Sequence, residues 1–113
     1  KKIDKLGHLI GLHSHSHPTL FEKLNYNEQK IEYEKCLSIL SKILNKSEND
    51  IKVMAHPCGN YNENTLKILG KLGLELGFRS TMIIDNKMKL KKINSSPFEI
   101  ARENHSNILK KIK

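Results

Sequence analysis

The chain has almost no arginine: of its 20 basic side chains only Arg79 and Arg102 carry a guanidinium. Its formal net charge is nonetheless +8 over 113 residues. Guanidinium forks read base edges and clamp phosphates bidentately, so a lysine surplus without them argues against a nucleic-acid partner. The lysines are scattered, and the densest run, Lys87 to Lys92 (KMKLKK), reads as a solvated hairpin or loop. Cysteine is equally scarce. Cys36 and Cys58 are too few for a disulfide framework and lack CxxC spacing. Cys36 falls among apolar helix positions, as a small core residue would. No apolar run approaches a membrane span and no signal-peptide pattern is present. The compartment is left open by this, with the cytoplasm slightly favoured. There is no internal repeat and no low-complexity tract, and the length allows one small domain.

Apolar periodicity sets out the elements. Residues 1–6 read as the last turns of a helix stopped by Gly7, as if the chain began inside a larger domain. HLIGLH, residues 8–13, is a short apolar run that reads as a buried strand, with His8 in a structural role. A long helix is expected from about Asn27 to Leu44, with Ile31, Cys36, Leu37, Leu40, Ile43 and Leu44 on its apolar face. NKSEND, residues 45–50, is a polar loop, and IKVMAH, residues 51–56, a second buried strand. Asn62 caps a short helix that Gly73 ends. Strands are expected at 76–81, 81–85 and 97–102, and a terminal helix from His105. Apolar strands alternating with helices predict an α/β fold with a parallel sheet. In such folds the chemistry gathers at the C-terminal ends of the strands. The two unusual clusters of the sequence, HSHSH (13–17) and HPCGNYN (56–62), both fall there.

Four of the six histidines lie between Gly7 and Pro18. On an extended strand end, His13, His15 and His17 would share one face. In a loop or helical turn, His13 and His17 converge and His15 diverges. Pro18 disfavours a continuing helix, and geometry alone does not choose between these. Imidazoles suit zinc, nickel, cobalt or iron, and a catalytic ion needs about three protein ligands with one position open. A third donor must come from elsewhere.

GHLIGLHSHSHPTL resembles the second motif of the NodB-type polysaccharide deacetylases, carbohydrate esterase family 4. AHPCGNYN is similar to the next motif of that family, with Pro57, Gly59, Tyr61 and Asn62 in place. FEIARENH is a looser match to a late strand, with Arg102 at the family's arginine. The resemblance implies the C-terminal portion of a distorted (β/α)7 deacetylase barrel, so that residues 1–113 are a partial NodB-like domain. It also implies a divalent metal, zinc first, with cobalt, nickel or iron as alternatives. His13 and His17 are the implied ligands, Ser14 the brace of their loop, and His15 a variable position. The backbone N–H of Cys58 is the implied oxyanion donor, and Pro57, Gly59 and Tyr61 the implied substrate-binding residues.

Several family features are missing. The opening Thr-Phe-Asp-Asp motif is absent and is expected upstream of Lys1 or on another chain; Ala55 stands where many members carry arginine. The late general-acid motif is not clear, and His105 is the nearest candidate. The expected function is metal-dependent N-deacetylation of amino sugars or polysaccharide, incomplete in this chain. A non-catalytic metal- or sugar-binding remnant is one alternative. Another is an amidohydrolase or PHP-type hydrolase built on His-x-His, although only Asp50 and Asp85 follow the cluster as aspartates.

Overall fold

The computed structural model describes residues 1–83 and 94–112. The Lys87–Lys92 run and residues 84–85 of the strand expected at 81–85 lie outside them; residues 81–83 of that stretch form a bend and not a strand.

Capping residues set the helix bounds. Helix α1, Lys2–Lys5, ends two residues before Gly7, which takes φ +87°. Helix α2, Tyr26–Leu44, starts at Asn25, whose side chain accepts from the Glu28 N–H at 3.0 Å. The Glu28 carboxylate accepts in return from the Asn25 N–H at 2.8 Å, so two otherwise orphaned donors are satisfied. Helix α3, Glu63–Lys71, starts the same way with Asn62 and Thr65. Helix α4, His105–Ile112, closes the described chain.

Strands β1, Val53–Ala55, and β2, Leu76–Phe78, pair in parallel, with Ala55 opposite Phe78. Single parallel bridges extend the ladder on both sides, Leu12 to Met54 and Phe78 to Ile100. Four extended segments thus lie side by side in chain order, with α2 and α3 as the crossovers between the first three. This is the α/β architecture with parallel strands that the sequence predicts.

Backbones approach closely where glycine permits. A Cβ on Gly11 would lie 2.7 Å from the Val53 carbonyl oxygen, and one on Gly77 would lie 2.9 Å from the Phe98 backbone. The core fills the space between this ladder and α2 and α3. Leu12, Phe21, Tyr33, Leu37, Met54, Ile68 and Leu69 meet there, with the Phe21 and Tyr33 rings 5.1 Å apart.

Three expectations need correcting. The segment 8–13 is not a buried strand: only Leu12 is bridged and buried, Leu9 is 83% exposed, and His8 is exposed. One ladder contact fixes the end of this segment and nothing covers its start among the described residues. The buried face of α2 is Gln29, Tyr33 and Leu37, whereas Ile31 and Ile43 face out. Gln29 is tolerated inside because its amide donates to the Leu24 carbonyl at 2.9 Å and accepts from the Thr65 hydroxyl at 2.5 Å. Finally, 97–102 is a bridge-bearing turn rather than a full strand.

Gly77→Ala should destabilise the chain by about 1–3 kcal/mol, because the new methyl meets backbone that cannot rotate away. Urea unfolding measures this, and an unchanged midpoint would contradict the close approach.

Candidate functional site

Both clusters lie where adjacent segments leave the sheet. Leu12 accepts from the Ala55 N–H at 2.9 Å, and the next residue of each segment, His13 and His56, starts a loop. The first loop doubles back over five residues. Ser14 and His17 adopt positive φ, 63° and 55°, a conformation costing roughly 1–2 kcal/mol per residue that lacks glycine's freedom. Two contacts hold it. The buried Ser14 hydroxyl accepts from the His17 N–H at 3.1 Å. Glu32 of α2 accepts from the His15 and Ser16 N–H groups at 2.9 and 2.8 Å and from the Ser16 hydroxyl at 2.8 Å. Burial alone would push the Glu32 pKa up, but these donors outweigh it and keep the carboxyl below its ordinary range.

The turn brings His13 and His17 together and leaves His15 out. Their Nε2 atoms are 3.1 Å apart, with ring centroids at 4.9 Å. His13 Nδ1 lies 2.8 Å from the Ala55 carbonyl oxygen, which can only accept, so Nδ1 carries the proton. In that tautomer His13 presents its Nε2 lone pair toward His17. Two imidazoles bound tetrahedrally to one zinc ion at ~2.05 Å would have nitrogens about 3.3 Å apart. The observed spacing is close to that. A backbone carbonyl holding the far ring nitrogen is also the usual support of a metal-binding histidine. The donor pair thus fits a divalent ion. No third His, Cys, Asp or Glu joins it among the described residues.

The second loop is a tight turn over Pro57–Gly59. Gly59 donates to the His56 carbonyl at 3.0 Å and Asn60 to the Pro57 carbonyl at 2.9 Å. Cys58, exposed and left-handed at φ 52°, ψ 15°, has an N–H with no partner among the described residues. The glycine after it is required: a Cβ on Gly59 would collide with the Ser80 hydroxyl. Asn60 also ties this loop to the first, donating to the Thr19 carbonyl at 2.5 Å.

Pro57 and Tyr61, expected to meet substrate, are buried, Tyr61 to 4% exposure. Tyr61 stacks on His56 with centroids 4.2 Å apart, and its hydroxyl donates to Glu99 at 2.9 Å. His56 is 1% exposed and donates through Nε2 to the Phe98 carbonyl at 2.7 Å, leaving Nδ1 without a partner among the described residues. Burial, helped by the nearby Arg79 guanidinium, pushes its pKa down to about 4, so the ring is neutral. Arg79 itself is 3% exposed, and its backbone carbonyl accepts from Arg102 at 3.0 Å. His105 opens α4 on the surface, with no hydrogen bond to either loop among the described residues. It lines a cavity of about 270 Å³ with Arg102, Glu103 and Asn104.

Sequence reasoning missed Glu32, His56 as a buried base, and Glu99. Glu32 is one of several glutamates along α2, with nothing in its spacing to set it apart. Glu99 sits in a stretch read as strand, where a buried carboxylate is unexpected.

The sequence pattern described as polysaccharide deacetylase matches residues 1–77. No curated protein matches the chain. A solved structure described as the Streptococcus pyogenes deacetylase PplD in complex with acetate is similar in fold, with TM-score 0.73 and 22% sequence identity. The match covers 99% of this chain and 48% of that one, so the chain spans about half the length of that protein.

Two measurements check these contacts. Glu32→Ala should speed amide hydrogen exchange at His15 and Ser16 several-fold while α2 stays protected; equal rates would show that the carboxylate does not hold the loop. The depressed His56 is neutral when folded down to about pH 4 but takes up a proton below about pH 6.5 when unfolded. Its contribution to stability is complete above pH 6.5 and is lost as pH falls toward 4, amounting to about 3 kcal/mol at most. His56→Gln should flatten that limb in urea unfolding measured at stepped pH.

Proposed function

Because the chain belongs to the polysaccharide deacetylase family, we propose that it forms the metal-binding and carbonyl-binding face of an N-deacetylase acting on acetylated carbohydrate. The observation that carries this reading is the His13–His17 pair, with converging Nε2 atoms 3.1 Å apart and the His13 tautomer fixed by the Ala55 carbonyl. His13 and His17 would hold the ion, zinc first among divalent candidates. When bound, such an ion supplies Lewis acidity toward an acetyl carbonyl and toward water.

The rest is done by the chain's own residues. Ala55 holds the His13 proton on Nδ1 and so keeps the Nε2 lone pair available. Ser14 and Glu32 hold the turn that presents His17. The Cys58 N–H, unpaired among the described residues, offers a donor to the negative charge that develops on the acetyl oxygen, and a backbone donor there does not depend on the side chain. The buried Pro57 and Tyr61 shape that turn, while the exposed Cys58 and the half-buried Gly59 and Asn60 on its rim meet the sugar. In this reading residues 1–113 are part of one NodB-like domain. The pair needs at least one more donor and a carboxylate base from a further segment, another chain or the substrate complex. The chain alone is therefore expected to hold zinc weakly and to show little turnover.

The pairing of His13 with His17 disfavours the His-x-His alternative, in which His13 and His15 would share the ion. Isothermal titration with Zn²⁺ tests the choice. His13→Ala and His17→Ala should each weaken binding at least about tenfold, whereas His15→Ala should leave it within about twofold. Loss on His15→Ala with retention on His17→Ala would overturn the assignment.

A further inference from the structure

The turn carrying the Cys58 N–H is held from outside the loop. Its flanks are His56, two residues before Cys58, and Tyr61, three after. The two rings are stacked, 4.2 Å apart and 22° from parallel, so the flanks of the turn brace each other. Each flank is then tied to one of two consecutive residues on another segment. His56 Nε2 donates to the Phe98 carbonyl at 2.7 Å, and the Tyr61 hydroxyl donates to the Glu99 carboxylate at 2.9 Å.

Glu99 is well suited as an anchor. It is 4% exposed, and its other oxygen accepts from the Ser95 hydroxyl. Burial opposes its charge, but donors from Ser95, Ser96 and Tyr61 outweigh that and favour the carboxylate. The segment is fixed in turn by the ladder: Ile100 donates to the Gly77 carbonyl and Arg79 to the Ile100 carbonyl, both at 2.9 Å. Burying a carboxylate is a costly way to fill space beside a tyrosine, and an apolar side chain would pack there more cheaply. What the carboxylate adds is direction: a charge-assisted bond to one atom, the Tyr61 hydroxyl.

We propose that Glu99 is a positioning residue for the deacetylation site, acting through Tyr61 and the His56 stack to aim the Cys58 N–H. The proposal rests on the oxyanion role given to Cys58 above. Glu99 touches neither the sugar nor the ion; its effect is confined to the carbonyl-binding half of the site.

Acetate, the product of the proposed reaction, probes that half. The ¹⁵N-labelled chain, with Zn²⁺ present, is titrated with acetate while the Cys58 amide signal is followed. The parent chain should show a saturating downfield shift of the Cys58 proton. Tyr61→Phe, which removes one oxygen atom, and Glu99→Ala should weaken acetate binding at least about fivefold and shrink the Cys58 shift. Both should leave Zn²⁺ affinity within about twofold, a split that general loosening of the fold would not give. Glu99→Gln, which still offers an acceptor to Tyr61, should restore most of the acetate affinity. If Tyr61→Phe binds acetate with the parent's affinity and the parent's Cys58 shift, Glu99 is not a positioning residue and the Cys58 role stands. Absence of any Cys58 response in the parent chain overturns both. Should Glu99→Ala fail to fold, Tyr61→Phe decides alone.

Discussion

The hydrogen bond from His13 Nδ1 to the Ala55 carbonyl oxygen is the constraint on which the candidate site depends. It joins the first residue beyond one ladder segment to the last residue of the next strand, 42 positions away. It puts the proton on Nδ1, so the Nε2 lone pair is left for His17 or an ion. The acceptor is main chain, positioned by the ladder bond from Ala55 N–H to the Leu12 carbonyl. The tautomer of a candidate ligand is thereby set by sheet register. A slip of one residue would turn His13 to the opposite face and break the arrangement.

Both loops depart from ordinary backbone geometry, and each is held by groups outside itself. Ser14 and His17 in the first loop and Cys58 in the second are left-handed without being glycine. The first is held by Glu32 from α2, the second by Phe98 and Glu99 from beyond β2, and Asn60 links the two. Local strain at a site persists only where its surroundings over-determine it. Here they do so through buried or partly buried carboxylates whose lone pairs are well satisfied.

What could be read from the sequence divides along the same line. The caps at Asn62, Gly7 and Gly73, the long helix and the parallel pairing follow from short-range patterns, and the structure has them. The meeting of His13 and His17 was one of two geometries open to HSHSH, and the turn selects it. Less could be read wherever long-range satisfaction of polar groups decides. Gln29 is fully buried while Ile31 and Ile43 are exposed, because the partners of Gln29 lie on Thr65 and Leu24 and periodicity cannot see them. Burial of His56 and Glu99 depends likewise on Tyr61 and on each other's segments. Glycine was informative mainly about turns, yet Gly11 and Gly77 matter for contact between strands.

The separation along the chain of these ties has a consequence for assembly. The bonds that aim the two loops join residues 42 apart for His13 and Ala55, 42 for His56 and Phe98, 38 for Tyr61 and Glu99, and 41 for Thr19 and Asn60. Closing such spans costs chain entropy before any contact repays it. Helices α2 and α3, with their local caps, can form early, whereas the site is completed only when the last segment docks. The histidine turn can take its ties from Glu32 and Ala55 first, whereas the Cys58 turn waits for Phe98 and Glu99. The Cys58 turn is therefore among the last parts of the fold to become ordered and among the first to open when stability falls.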